Sequence, residues 1–352
     1  MKPPFLYALH SGNLYGTERM ALATLAGLQE TFAPRLLAPP GPVQAEAQRR
    51  GLHAETFAGP ADLARHLHRH LAASPRAAFA ATGVVHSLAF LAVNAWHRRP
   101  TVHLHLVHGG TDERLSYGRK RLLNQAPVTF VAVSAFVRER LLAHRVRAER
   151  IRVIENFLDP DTTAQAPRRA PFDTTGVRRV AIVSRVDPIK RIDLLLDCLD
   201  RAPSLATLDF RILGTGWDLE RLRERAARTH PNITFVGFSD DVAGELARAD
   251  LLLHLCPAEP FGLAILEAMA AGLPVLVPDR GGAGALIEDG ISGRHFRADD
   301  AADLARVLAA FQQASAKDLD RLVAGGDRQL ATRFSAQERL ADYRALLAEV
   351  CA

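Results

Sequence analysis

The sequence predicts an α/β chain built from two doubly wound, parallel-sheet halves. Three observations predict it. Short apolar runs alternate with longer amphipathic stretches, and the runs lack the polar alternation of half-exposed strands, as parallel strands covered on both faces require. A proline-containing, aperiodic break from Thr163 to Arg179 (TAQAPRRAPFDTTGVRR) divides the runs into two sets. Glycines gather just past the ends of several runs: Gly12 and Gly16, Gly109 and Gly110, Gly214 and Gly216, Gly281 and Gly282. In such sheets ligands bind outside the carboxyl ends of the strands.

In the first half the strand candidates are FLYAL (5–9), RLLA (35–38), GVVH (83–86), VHLHLV (102–107), TFVAVS (129–134) and IRVI (151–154). Ala77 to Trp96 is uncharged and long enough to raise the question of a membrane span. Thr82, Gly83, His86, Ser87 and Asn94, together with its alanine content, make it a buried strand over Gly83–His86 followed by a helix. In the second half come VAIVS (180–184), LDFRILG (208–214), ITFVG (233–237), LLLHL (251–255) and VLVP (275–278). The end of the chain reads as an amphipathic helix, opened by a capping box of Ser335 and Glu338. The expected organisation is an N-terminal Rossmann-like domain over 1–163, a linker over 164–178 and a C-terminal Rossmann-like domain over 179–326. A terminal helix over 327–352 packs back toward the first domain. A length of 352 residues gives each domain enough chain for its own core.

Hydrophobic content of 48% and charged content of 24% are those of a globular protein. The net charge of +5 is unevenly held: residues 1–160 carry +9 and residues 161–352 carry −4. Eleven of the 14 histidines also fall in the first half. The basic half could attract an anionic acceptor, a membrane surface or nucleic acid; a solvated basic face explains the same numbers. No nucleic-acid motif accompanies the charge. Three cysteines without metal-ligand spacing argue against a disulfide framework and fit a reducing cytoplasm. The start, MKPPFLYALHSG, turns polar too soon for a signal peptide.

The densest chemistry lies between Asp250 and Gly293. Glu259 precedes a predicted helix and Glu267 lies within it, so both can face one ligand at the helix start. Free backbone N–H groups and the positive end of the helix dipole favour phosphate there, and a carboxylate further along suits ribose hydroxyls. Arg185 and Lys190 follow a strand on one loop and suit a pyrophosphate. Gly214 and Gly216 end another strand, where a missing side chain lets backbone approach a ligand. Gly237 and Phe238 follow a third and could set backbone and an apolar surface against a base.

In order and spacing over about residues 150–295, these pieces resemble the retaining glycosyltransferases of family 4, which have the GT-B fold. The family pattern is R-x-x-x-x-K, G-x-G, a strand-ending glycine, A-D before an apolar strand, then E-x-F-G and E-A-x-A-x-G-x-P-V. Here these are Arg185 and Lys190, Gly214 and Gly216, Gly237, Ala249-Asp250, Glu259 to Gly262, and Glu267 to Val275. Two departures stand out. Leu255-Cys256 replaces the family's Pro-Ser, and Gly281-Gly282 continues as Ala283-Gly284-Ala285 without the usual glutamate.

The resemblance implies two Rossmann-like domains facing a central cleft. It implies that Arg185 and Lys190 hold the donor diphosphate, that Glu259 with the backbone of Phe261, Gly262 and Leu263 meets sugar and phosphate, and that Glu267 binds ribose. Gly16, Gly214, Gly237 and Phe238 complete the donor set. In the first half, Gly12, Thr17, Glu18 and Gly109 fall on the acceptor side. Thr17 stands where the family has a second glycine. His108, ending the strand VHLHLVH, takes the position of the family's active-site histidine, while His103 and His105 read as packed structural histidines.

The implied reaction is transfer with retention, the leaving diphosphate taking the acceptor proton. Arg185 and Lys190 stand in for a metal, and no cofactor beyond the nucleotide diphosphate sugar is expected. The acceptor is a glycan, a lipid-linked molecule or a small molecule, in bacterial glycan, lipopolysaccharide or glycoconjugate biosynthesis. Arg114, Arg119, Lys120 and Arg121 among Leu115, Tyr117, Leu122 and Leu123 could dock on an anionic membrane; an exposed helix has the same pattern. The expected location is the cytoplasm or the inner membrane face. An epimerase of the same architecture or a non-catalytic nucleotide-sugar binder stays open. A nicotinamide-dependent oxidoreductase is excluded by the spacing of Gly12 and Gly16.

Overall fold

The computed structural model describes residues 2–74, 76–110 and 112–351. The chain forms two compact units, Met1–Asp159 with Ala336–Ala352, and Pro160–Ser335.

The first unit is a seven-stranded parallel sheet. Its strands are β1 (Pro4–Ala8), β2 (Ala33–Ala38), β3 (His53–Thr56), β4 (Ala77–Ala81), β5 (Thr101–Val107), β6 (Thr129–Ala132) and β7 (Ile151–Val153), in the order 3-2-1-4-5-6-7. The order reverses between β1 and β4, which opens a crevice at their carboxyl ends. Leu6, Phe79, Phe90, Leu63 and Leu67 form part of a fully buried core between this sheet and its helices. Phe79 and Phe90 stack with ring centroids 4.1 Å apart.

One expectation is corrected here. The strand is Ala77–Ala81 rather than Gly83–His86, and Gly83 caps the helix Val84–His97. Alanine has little strand preference of its own. The run AAFAA is fully buried between β1 and β5, and that burial outweighs propensity. Strand β3 was not anticipated: it is the polar edge strand HAET, without an apolar run to betray it.

The second unit is a six-stranded parallel sheet of β8 (Arg179–Val183), β9 (Asp209–Leu213), β10 (Ile233–Gly237), β11 (Leu251–Leu253), β12 (Val275–Pro278) and β13 (Arg294–Phe296). The order is 10-9-8-11-12-13, with the reversal between β8 and β11. Edge strand β13 is only three residues long and was also missed. Val180, Ile182, Phe210, Ile212 and Leu276 lie in its buried core.

The segment following the short helix Pro160–Ala164 is tied to this unit. The Arg169 guanidinium donates to Asp250, Phe172 is buried, and the Gly176 N–H donates to the Ala314 carbonyl. Asp250 also accepts from the backbone N–H groups of Arg178 and Arg179, at 3.1 and 2.9 Å. It stands at the amino end of β11 and braces the amino end of β8. The Asp of the A-D dipeptide therefore serves the end of the sheet opposite the crevice.

Candidate functional site

In the second unit the loops after β8 and β11 flank the switch point, and each carries predicted site residues. Lys190 ends the single turn Pro188–Lys190, and Glu259 lies on the loop between β11 and the helix Leu263–Ala270. The Lys190 ammonium donates to Glu259 Oε2 at 2.6 Å, bridging the two loops. Both side chains are mostly buried, 15% and 14% exposed. Burial alone would lower the Lys190 pKa, but the Glu259 carboxylate outweighs it and raises it. Burial likewise opposes the Glu259 charge, yet Lys190 and then His254 hold that carboxyl well below its usual range. Arg185, on the β8 loop, pairs with buried Asp187 at 2.7 Å and keeps 56% of its side chain exposed. That leaves a guanidinium at the crevice able to turn toward an anion.

The helix Leu263–Ala270 begins after Gly262, whose φ of +105° no side-chain-bearing residue adopts easily. Leu263 and Glu267 are half-buried, Glu267 within the helix. Phe261 points inward, 3% exposed and edge-on to Phe334, so only its backbone is free to meet a ligand. Gly281 and Gly282 dock behind the Glu259 loop. A Cβ at Gly282 would sit 2.1 Å from the Pro260 carbonyl oxygen, and the Gly282 N–H donates to the Glu259 carbonyl at 2.7 Å.

The glycines after β9 also make room for a neighbouring loop. A Cβ on Gly214 would lie 2.0 Å from the Ser184 carbonyl, and one on Gly216 would lie 2.3 Å from that of Val186. Their missing side chains therefore admit the β8 loop, the loop that carries Arg185 and Lys190. Gly237 has φ +81° with open space around it, and Phe238 is 72% exposed. Trp217, not singled out from the sequence, is 84% exposed just past Gly216.

His254 and Cys256 also went unselected, because each looks like a core residue within an apolar run. His254 Nε2 lies 3.4 Å from Glu259 Oε2. Ligand atoms of His254, Cys256 and Glu259 lie within 4.8 Å of one another. The Lys190 ammonium already occupies the Glu259 oxygen, and burial pushes the Cys256 thiol up to about 11. A cation there would have to displace an ammonium and take a protonated thiol.

In the first unit a cavity of about 500 Å³ opens at the carboxyl ends of β1, β4 and β5. His10, Thr17, Thr82, His108, Gly109 and Lys120 are among its lining residues. His10 follows β1 and Thr82 follows β4; the His10 N–H donates to Thr82 Oγ1 at 3.0 Å, and His10 Nδ1 lies 2.8 Å from that oxygen. Burial, then the nearby His10, lowers the His108 pKa to about 4, so its imidazole is neutral at ordinary pH. His108 Nε2 is buried and, among the described residues, has no hydrogen-bond partner.

The other first-unit residues are more structural. Glu18 is 2% exposed and accepts from the Tyr15 N–H at 3.0 Å, capping the helix Gly16–Gly27 whose first residue, Gly16, is exposed. Gly12 packs so closely that a Cβ would meet the Pro39 and Pro40 carbonyls at 2.4 Å. His103 and His105 are buried and share Ser87 Oγ, at 3.0 and 2.8 Å.

Two parallel-sheet units, each with polar groups gathered at its switch point, define a protein of the GT-B fold class. Comparison with known proteins goes further. The family described as Glycosyltransferase Family 4 matches residues 15–162, and that described as Glycosyl transferases group 1 matches 177–314. The chain belongs to family 4 of the glycosyltransferases.

A phosphatidyl-myo-inositol mannosyltransferase of Mycobacterium leprae is 33% identical over 162 residues, 45% of this chain and 43% of the relative. A D-inositol 3-phosphate glycosyltransferase of Mycobacterium sp. (strain KMS) is 26% identical over 207 residues, 54% and 46% of the two chains. The chain thus spans less than half the length of these relatives. Among solved structures, Anabaena Alr3699/HepE in complex with UDP and glucose has a TM-score of 0.81 at 19% identity, over 98% and 99% of the two chains. The lipopolysaccharide outer core galactosyltransferase WaaB, apo form, has 0.75 at 16%, over 99% of each. At these identities the likeness is one of fold. Among the described residues no helix is long and apolar enough to cross a membrane.

Proposed function

We propose that the chain is a retaining glycosyltransferase that moves a sugar from a nucleotide diphosphate sugar to an acceptor hydroxyl without a bound metal. The observation that carries this reading is the Lys190–Glu259 bridge across the second unit's switch point, with the exposed Arg185 guanidinium on the same loop. The HepE complex with UDP and glucose, of the same fold, and the mannosyltransferase relatives support it.

In this reading Arg185 and Lys190 hold the diphosphate and stabilise the charge that builds on it as the glycosidic bond breaks. The backbone N–H groups at the start of the helix Leu263–Ala270 add to that stabilisation. Glu259 keeps Lys190 charged and turned to the crevice, Glu267 takes the ribose hydroxyls, and Gly237 with Phe238 borders the base. In the first unit, neutral His108 accepts or donates a hydrogen bond to the acceptor or the donor sugar. The acceptor hydroxyl attacks on the face that the diphosphate leaves, and the departing phosphate oxygen takes its proton. No protein carboxylate then needs to act as nucleophile. The acceptor is a glycan, a lipid-linked molecule or a small molecule, and the work is done at the cytoplasmic side in glycoconjugate synthesis.

The test is a panel of UDP, GDP, ADP and dTDP sugars screened by thermal shift, followed by product analysis by NMR with the best donor. One donor should stabilise the protein by roughly 2–4 kcal/mol at high occupancy, and the product should keep the donor's anomeric configuration after chelator treatment. An inverted product, or a strict need for a divalent ion, would overturn the reading. A C2 epimer formed without acceptor would move it to an epimerase.

A further inference from the structure

The first-unit cavity holds a charge that nothing else in the proposed reaction uses. Lys120 sits on the turn Gly118–Leu123 and is 8% exposed, so it is more than nine-tenths buried. Among the described residues its ammonium has a single long contact, 3.4 Å to the Leu115 carbonyl, and no carboxylate pairs with it. Burial, and then Arg119, lowers its pKa to about 8. A buried cation without a counter-ion is costly to keep, and a cavity wall is where a ligand could supply the missing anion. Arg119 lines the same cavity and is exposed. The mouth is apolar: Val85, Leu88, Leu115 and Leu122 line it and are 44–64% exposed.

We propose that the acceptor carries an anionic phosphate group, that Lys120 holds that phosphate inside the first-unit cavity, and that the apolar mouth takes the part of the acceptor beyond it. This rests on the acceptor reading of the cavity given above. Lys120 is here a specificity residue. It fixes one end of the molecule while His108, lining the same cavity with an Nε2 that no described residue pairs, meets a hydroxyl. A phosphorylated polyol and a phospholipid headgroup share this chemistry. Arginine and lysine at such a site differ in geometry but not in charge, so Lys120→Arg should keep phosphate binding where Lys120→Met should not.

The experiment uses the full chain without any nucleotide sugar, so that it reads the cavity independently of the donor site. Calorimetric titration compares myo-inositol 1-phosphate and sn-glycerol 3-phosphate with inositol and glycerol. Flotation compares phosphatidylcholine vesicles with and without phosphatidylglycerol. At least one phosphorylated probe should bind roughly tenfold or more tightly than its neutral parent, the size of a charge-assisted hydrogen bond. Lys120→Met should abolish that preference, Lys120→Arg should retain it, and thermal shift by the donor sugar should be unchanged in both. Binding of the soluble probes alone identifies a free phosphorylated acceptor; binding to the anionic vesicles alone identifies a lipid headgroup. Equal binding of phosphorylated and neutral probes by the wild-type chain overturns the proposal, as does a preference untouched by Lys120→Met. If Lys120→Met unfolds, the wild-type comparison of matched probes still decides. If no nucleotide sugar stabilises the protein while phosphate is still preferred, the transferase reading fails and the anion site stands.

Discussion

Removing the Lys190 ammonium tests the bridge on which the donor reading depends. Lys190→Met keeps most of the stem and deletes the charge. It leaves the Glu259 carboxylate, whose side chain is 14% exposed, without its ammonium partner and with His254 Nε2 at 3.4 Å. Breaking a buried ion pair by removing one partner costs about 3–5 kcal/mol. Residual solvent at the partly exposed carboxylate offsets part of that, which leaves about 2–3 kcal/mol. Glu259→Gln keeps an acceptor oxygen for Lys190 and should cost less, about 1–2 kcal/mol. The double variant should be more stable than the sum of the two losses predicts, by about 1–2 kcal/mol, because the pair is lost only once. Differential scanning calorimetry of the full chain can follow the transition of residues 160–335. A loss of about 2–3 kcal/mol in a unit of that size lowers its midpoint by roughly 4–12 °C. Strict additivity, within about 0.5 kcal/mol, would refute the bridge and its role in holding Lys190 charged.

Further outcomes are expected. Glu267→Ala should weaken nucleotide diphosphate binding in a thermal-shift titration, while His108→Ala should slow transfer and spare donor affinity; loss of donor affinity with unchanged turnover would remove His108 from the reaction. Burial lowers His86 and His108 to about 4 and His103 to about 3, against an ordinary value of 6.5. The fold holds these histidines neutral, so the stability they contribute is complete above pH 6.5 and is lost as the pH falls toward 4 and, for His103, toward 3. Calorimetry across that window should show the first unit's transition falling, and His103→Gln should flatten the fall. Gly282→Ala puts a methyl group 2.1 Å from the Pro260 carbonyl and should cost about 1–3 kcal/mol. It should also reduce donor affinity, because the shifted loop carries Glu259; an unaffected donor titration would show that this loop does not meet the donor.

Much of the architecture was legible because parallel strands buried on both faces leave unbroken apolar runs, as in VAIVS and TFVAVS. The failures have physical causes. AAFAA lacks the branched side chains that mark a strand, and its burial is decided by neighbours distant in sequence. HAET and RHF are edge strands, half-solvated and short, so they carry no apolar signal. In the second unit, spacing along the chain selected Arg185, Lys190, Glu259 and Glu267, but it could not reveal that Lys190 pairs with Glu259 across 69 positions. Nor could it tell that Gly12, Gly214 and Gly216 are glycine for the sake of a neighbouring loop, since a close backbone approach leaves the same letter as a ligand contact. Lys120 was visible only as one of several cations, because burial and the lack of a counter-ion are properties of the folded chain.

The docking of Gly281 and Gly282 behind the Glu259 loop has a consequence for how this protein can change. The loop is held there through main-chain atoms, by a carbonyl-to-amide bond and a contact that tolerates no side chain. Ala258, on the same loop, is exposed. On the proposed reading, in which this loop meets the donor, a substitution at Ala258 would change the surface that the loop offers while the track of the polypeptide stays put.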